Sequence, residues 1–455
     1  MTTNEKLTKE KVFEMICKAT RINTLGLFIG SGFTKAVLEN STECHAYTWK
    51  ELLGRVCAHL GLKKDILEQG LPYPQVASEI CQEYSISKSV KIEDATRKLK
   101  LDIADLVDVH LDNFTLENYK QFFKALDPNW IVTTNYDTII EQILCEKAYS
   151  INPKDGYIKA NDFIPIYHIH GCKTDPDSIV ITNDDYTHTL RISDYRHARL
   201  PFLIKESTVL MIGYSLNDLN VLSALDYSQN IYTNVAIAYE MPIIQLLYKK
   251  TPKQDPYWNQ NQVIVQEIDS LTNYLKGLSD YSKRYRSSIG KKTKTINELV
   301  EKYTNADDKS IDGFINSKDE RAIAINSFKD LDREFWYAFP CYIAFLNKGL
   351  SILWNRASEK NAFSYYGQIL DLLLDLIQCF KCNSMPDNYV DFLIDQFKSV
   401  AYYIGDGVGK SWDAKHVWDT RKNNIPKDFI DLAKKRYQHN DSDSLYAKQL
   451  FEQIN

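Results

Sequence analysis

With 455 residues, 44% of them hydrophobic and 25% charged, the chain can hold about two or three domains with substantial cores, and wholesale disorder is excluded. A net charge of -5 gives no basic surplus for a nucleic-acid partner, so no direct nucleic-acid binding is expected. Nine cysteines without a regular framework suit a reducing cytoplasm, and the polar, Lys/Glu-rich start carries no apolar signal segment.

Residues Thr8 to Thr20 place Val12, Ile16 and Ala19 on one side of an amphipathic helix. Leu25 to Ile29 then reads as a short buried strand running into Gly30-Ser31-Gly32-Phe33-Thr34, with a helical stretch from Lys35 to Glu39. Strand, glycine turn and helix form an arrangement that cradles phosphate, because glycines let backbone approach a ligand and a helix N-terminus offers free N–H groups. Residues 47–124 are mostly helical and resemble an insertion into an α/β sheet.

The sheet resumes at Trp130-Ile131-Val132-Thr133-Thr134-Asn135-Tyr136-Asp137, followed by a helix over Thr138 to Cys145. A second run, Ile164 to His170-Gly171, has the same character. In an open α/β sheet ligands bind beyond the carboxyl ends of the strands, so Asn135, Asp137 and His170 are candidates to converge on one ligand. The competing reading makes Asn135 and Asp137 helix caps and His170 a turn residue. Further strands are expected at Ile179–Thr182, Val209–Ile212, Val235–Ala238 and Val263–Val265. The alternation of strands and helices to about Tyr281 predicts a Rossmann-like, doubly wound parallel sheet.

Residues 286–310 begin with a polar, basic stretch expected to be a linker, and from 311 to 455 the chain turns helical. Phe335 to Trp354 is long enough to span a membrane. Pro340 and Asn347-Lys348-Gly349 instead predict two buried helical pieces joined by a bend, so no membrane association is expected. Asp371, Asp375 and Gln378 make a polar stripe on a helix over 369–378, read as its wet face. Gly405 to Ser411 imitates a phosphate-binding loop but is one residue short and follows a helix, so a glycine-rich turn is predicted.

Together the motifs resemble the sirtuin-like family of NAD-consuming proteins, specifically its bacterial anti-phage defence branch. Gly30-Ser31-Gly32 is similar to the family's first glycine turn, Asn135-Tyr136-Asp137 to its Asn-x-Asp, His170-Gly171 to its catalytic His-Gly, and Gly213-Tyr214-Ser215 to its later Gly-x-Ser. Thr133 to Asp137, Thr182 to Tyr186 and Gly213 to Asp218 are similar to strings found in the defence branch. The resemblance covers Leu25 to about Tyr281, a catalytic domain of residues 1–285, and does not reach the helical C-terminal domain.

The deacylating members carry a zinc ribbon of two Cys-x-x-Cys pairs after the catalytic histidine. This chain has only Cys172 there and an unpartnered Cys379/Cys382 further on, so no zinc and no permanently bound cofactor are expected. The resemblance therefore implies an NAD+ hydrolase that breaks the nicotinamide–ribose bond and depletes NAD when infection triggers it. An NAD-dependent deacylase or a non-catalytic NAD sensor are the alternatives.

In the implied site His170 polarises a ribose hydroxyl as general base, with His168 as the alternative base. Asn135 orients water or the ribose, and Asp137 meets the carboxamide or holds the loop. NAD is expected to lie against Gly30, Ser31, Gly32, Phe33, Thr34, Thr134, Gly213, Ser215, Asn217 and Asp218, with Glu240 at the adenosine ribose. The C-terminal helices are expected to regulate and assemble a homo-oligomer that answers to a phage-derived activator or a partner defence protein.

Overall fold

The computed structural model describes residues 6–454 apart from 42–43, 69, 153–154, 156–162, 190–194, 215–218, 231–240, 360–361, 382–383 and 438–441. The chain divides into two compact units, Met1–Arg286 and Ser287–Asn455. Among the described residues no helix is long and apolar enough to cross a membrane.

The first unit is built on eight strands: β1 (Leu25–Ile29), β2 (Trp130–Thr133), β3 (Ala148–Ile151), β4 (Ile164–His168), β5 (Thr208–Ile212), β6 (Ile243–Tyr248), β7 (Tyr257–Trp258) and β8 (Ile264–Ile268). Their order is β3-β4-β2-β1-β5-β6-β8-β7, parallel throughout except where the short β7 runs against β8. Every residue of β1, β2 and β5 is buried, which is why these runs are continuously apolar instead of alternating. Leu27, Ile29, Ile131, Leu210 and Ile212 feed one core, and Phe28, Val132, Val209 and Met211 feed the core on the opposite face. From β1 the chain passes to β2, goes out to the edge strand β3, steps back to fill the gap with β4, then returns to lay β5 on β1's other side. The reversal between β1 and β5 is where such sheets take ligands.

The helices of this unit are α1 (Lys9–Arg21), α2 (Ser31–Val37), α3 (Trp49–Leu60), α4 (Tyr73–Lys88), α5 (Ile92–Leu106), α6 (Asn113–Leu126), α7 (Ile139–Leu144), α8 (Asn183–Thr189), α9 (Tyr195–Lys205) and α10 (Leu219–Asn230). Helices α3, α4 and α5 share a separate core that also takes in Tyr136, Ile179 and Ile181. That explains one departure from expectation: Ile179–Thr182 is apolar because it packs against the insertion, and it is not a strand. The expected strand at Val235–Ala238 lies outside the described residues. Strand β6 escaped notice because Gln245 interrupts its apolar run. That side chain is 4% exposed and donates through Nε2 to the Tyr214 carbonyl at 2.9 Å.

Helix α11 (Leu271–Thr304) contains the division between the two units. The expected linker at 286–310 is therefore helical as far as Thr304. Lys and Arg are good helix formers, and Ile296 supplies a buried position within the basic stretch. The second unit continues as α12 (Asp308–Asn316), α13 (Lys318–Phe328), α14 (Phe339–Ser358), α15 (Ser364–Gln378), α16 (Asp387–Ala401), α17 (Trp412–Arg421), α18 (Lys427–Arg436) and α19 (Ser442–Phe451). Pro340 opens α14, where its missing N–H costs nothing. The turn expected at Asn347-Lys348-Gly349 is instead helix, with Asn347 and Lys348 on the exposed side and Gly349 buried. Gly405 to Ser411 is a turn, as the spacing predicts, and the Ser411 side chain caps α17.

The polar stripe on α15 is not a wet face. Arg321 of α13 donates to Asp375 at 2.8 Å and to Asp371 at 2.9 Å. Arg421 of α17 bonds to both carboxylates as well and to Gln378 at 2.8 Å. Two guanidinium groups thus bolt three helices together through planar, paired contacts that lysine cannot reproduce. Asp371 and Asp375 keep about 20% and 21% of their side-chain surface in water. Arg421→Met should accordingly lower the stability of the second unit by about 2–4 kcal/mol, somewhat less than a fully buried pair would lose. A denaturant midpoint for that unit measures it, and an unchanged midpoint would show the cluster to be ornamental.

Candidate functional site

The site is assembled where β1, β2, β4 and β5 end. Gly30 donates to the Ile212 carbonyl at 3.0 Å, and Gly32 donates to the Gly213 carbonyl at 2.9 Å. The two strand-end turns cross almost in backbone contact. A Cβ on Gly30 would stand 2.6 Å from Gly213 O, and one on Gly213 would stand 2.0 Å from Phe33 N. Gly213 also has φ +66°, in the left-handed region. The glycines of this turn are therefore required by the crossing itself, whatever they do for a ligand. Ser31 and Gly32 remain exposed at the mouth of the site.

Phe33 does not face a ligand. Its ring is fully buried against Tyr119 at 5.7 Å and Phe123 at 5.9 Å, so of the expected contact residues it serves the core. Thr34 takes the central position. Its hydroxyl donates to Asp137 Oδ2 at 2.8 Å and accepts from Asn135 Nδ2 at 3.0 Å. Because that hydroxyl gives its one proton to the carboxylate, Asn135 must present its NH2 side to Thr34. Among the described residues no donor reaches Asn135 Oδ1, which is left for water or a ligand. The Asn135 backbone is tied in turn, its N–H donating to Thr133 Oγ1 at 3.0 Å.

Asp137 is committed internally. Oδ2 takes the Thr34 hydroxyl and Oδ1 takes the first free N–H of α7, that of Ile139, at 3.1 Å. Burial pushes its carboxyl above the usual range, and the bonds from Thr34 and Ile139 offset this only in part. The helix-cap reading thus describes Asp137 well and Asn135 poorly. Thr134 lies in the same loop, its N–H pointing back to Ile29 O at 3.4 Å. Ser215, Asn217, Asp218 and Glu240 lie outside the described residues.

The two histidines divide into different roles. His168 is at the end of β4 with no side-chain exposure, Nδ1 3.2 Å from the Asn135 carbonyl and Nε2 2.6 Å from Glu141 Oε1. A carbonyl only accepts, so Nδ1 carries a proton, and both ring nitrogens are engaged. Burial pushes the Glu141 carboxyl up, but His168 and the Ser150 hydroxyl together hold it below the ordinary range. His168 is thus a brace between the Asn135 loop and α7, unsuited to be the alternative base.

His170 sits two residues on, in the turn completed by Gly171 at φ +82°. A Cβ at Gly171 would meet Ser178 O at 2.3 Å. The His170 carbonyl accepts from Val180 N at 2.8 Å, and its ring lies 5.4 Å from that of Tyr186, edge to face. Tyr136, between Asn135 and Asp137 in the loop after β2, donates its hydroxyl to Val180 O at 2.8 Å and so joins the two loops. Tyr186 and Tyr136 were not singled out by residue type. The signal for Tyr186 is its place in the Thr182 to Tyr186 string that carries the resemblance.

Among the described residues no group of three or more His, Cys, Asp or Glu side chains is placed to hold a metal ion. Cys379 is described and Cys382 is not.

Two expectations follow. Gly213→Ala should destabilise the first unit by at least about 2 kcal/mol, since the added methyl meets backbone in a left-handed conformation. A denaturant midpoint within error of wild type would show that the crossing can yield. Glu141 has a folded pKa below the unfolded value of about 4.3, so its stabilisation is complete above that pH and is lost as the pH falls through the folded value. Glu141→Gln should therefore flatten the acid arm of the stability–pH profile, and an unaltered arm would dismiss the contribution.

Comparison with known proteins bears on this geometry. Residues 129–265 match the model of the SIR2-like domain, from the residue before β2 to the start of β8. The chain is also similar to an NAD(+) hydrolase ThsA of Acinetobacter baumannii (strain 532279), 24% identical over 304 residues. The match takes in 60% of this chain and 56% of that relative, so the chain spans little more than half the relative's length. Residues 129–265 are thus similar to a SIR2-like domain, and within them Asn135 and His170 lie just beyond the ends of adjoining strands.

Proposed function

We propose that the first unit hydrolyses NAD+ to nicotinamide and ADP-ribose. The observation that carries this reading is the orientation of Asn135: Thr34 holds its amide so that no donor among the described residues reaches Oδ1, in the loop after β2 and beside the turn after β4 that carries His170. In the reaction the C1′–N bond breaks and its electron pair returns to the pyridinium nitrogen, so nicotinamide leaves neutral without needing a proton. Water adds to the oxocarbenium-like C1′ and loses a proton to solvent. Asn135 Oδ1 orients that water or the ribose, and His170 draws the proton of a ribose hydroxyl, lending electron density to the cationic ring.

Asp137, with both oxygens engaged, holds the loop. Ser31, Gly32 and the Gly213 turn offer the approach for the pyrophosphate. Ser215, Asn217 and Asp218 complete the proposed NAD-binding set, Ser215 assisting at the pyrophosphate, with Glu240 at the adenosine ribose. The relative's activity as an NAD(+) hydrolase supports this reading. We further propose that the enzyme serves anti-phage defence by depleting NAD, and that the helical unit restrains it until an infection signal arrives.

Incubating the purified full-length chain with NAD+ and separating the products tests the reaction: nicotinamide and free ADP-ribose are expected in equal amounts. His170→Ala should reduce turnover by about 10²–10⁴-fold with the fold intact. Asn135→Ala should fall comparably while still binding NAD+, because its role is orientation. Near wild-type turnover in His170→Ala would remove the histidine from the mechanism. Metal analysis should find no stoichiometric zinc, whereas about one zinc per chain would reopen deacylation.

A further inference from the structure

The string Thr182 to Tyr186 has no role in the reaction above, yet it is tied to both the insertion and His170. Asp185 Oδ2 accepts the backbone N–H groups of Thr182 at 3.0 Å and Ile181 at 3.1 Å and the Thr182 hydroxyl at 2.9 Å. In return Thr182 Oγ1 accepts the Asp185 N–H at 3.2 Å. This closes the start of α8, where Ser78 of α4 also accepts the Asn183 N–H at 3.1 Å. The other carboxylate oxygen nevertheless accepts Lys100 Nζ at 2.8 Å, and Lys100, on α5 of the insertion, is only 7% exposed.

A buried ammonium is a costly way to make a cap that is already complete, and an apolar side chain at that position would hold α5 and α8 together as well. What the ion pair adds is direction: a charge-assisted bond of fixed length between elements 85 residues apart in the chain. Burial pushes the Asp185 carboxyl up, but Lys100 and the Thr182 amide hold it below the usual carboxylate range. The residue after Asp185 is Tyr186, whose ring meets the His170 imidazole at 5.4 Å with 70° between the planes. The incoming segment is fastened on the same two sides. Ile179 and Ile181 are buried among α3, α4 and α5, and Val180 between them bonds to His170 and Tyr136.

We propose that Lys100 is a positioning residue for the active site: through Asp185 it fixes α8 so that the Tyr186 ring holds the His170 imidazole in its working orientation. The helical insertion is then a working part of the site. This rests on the reading of His170 as the group that acts on NAD+, and the test separates the two.

Full-length protein carrying ¹³C-labelled histidine is prepared as wild type, Lys100→Met, Lys100→Arg and Tyr186→Leu, with the His170 ring signal assigned by its loss in His170→Ala. Tyr186→Leu leaves the Lys100–Asp185 pair in place and should move the His170 signal by removing the neighbouring ring. Lys100→Met should move it in the same direction, with the other histidine signals unchanged, and Lys100→Arg should restore most of the wild-type position. In NAD+ cleavage Lys100→Met should lower kcat by about 10–100-fold with KM within about twofold, the pattern of a misplaced catalytic group.

A His170 signal unmoved in Tyr186→Leu overturns the proposal, even if Lys100→Met fails to fold. So does a folded Lys100→Met that keeps both the wild-type signal and the wild-type kcat. A wild-type chain that cleaves no NAD+ overturns the reading of the site, and with it the catalytic half of this proposal, however the signals move.

Discussion

Backbone crosses backbone where β1 and β5 end, and the placement of the site follows from that contact. Gly213 lies so close to Gly30, Gly32 and Phe33 that a single methyl group on any of the three glycines would collide with main chain. The crossing sets where α2 begins, and α2 carries Thr34. One hydroxyl then arranges two side chains of the neighbouring loop, giving its proton to Asp137 and taking one from Asn135. The order of dependence runs from steric constraint to helix start to amide orientation, and only the last link concerns chemistry.

Beyond that point the loops are held by side chains that bond to one another and to backbone. His168 and Glu141 clamp the Asn135 carbonyl loop against α7, Asp137 caps α7, and Tyr136 staples the His170 turn to the segment before α8. An enzyme that stabilises a short-lived cation needs its dipoles fixed in advance, since reorganising them during the reaction would add to the barrier. The burial of Asn135 and His170, at 6% and 4% exposure, fits that requirement.

Much of this was legible in the chain. Strands β1, β2, β4 and β5 showed as apolar runs because both faces of a central parallel sheet are covered, and the residues that end them stood out as polar groups at the edge of such runs. The split between His168 and His170 was not legible, because it depends on which ring meets Glu141, a residue on a different element. Ile179–Ile181 imitated a strand because packing against an inserted helix and packing in a sheet demand the same apolar side chains. The stripe of Asp371 and Asp375 imitated a wet face because its arginine partners come from helices about 50 residues away in either direction. Pattern reports that a carboxylate sits on a helix face. Only the fold reports what faces it.

The central claim is that NAD+ lies across the ends of β1, β2, β4 and β5 with its nicotinamide ribose between Asn135 and His170. A crystal structure of the full-length His170→Ala variant soaked with NAD+ tests this most directly. The account predicts pyrophosphate density over the Ser31-Gly32 and Gly213 turns and a ribose within hydrogen-bond distance of Asn135 Oδ1. Density for the dinucleotide in the cleft lined by Ile151, Tyr167 and Leu203, with the Asn135 side chain unvisited, would contradict it.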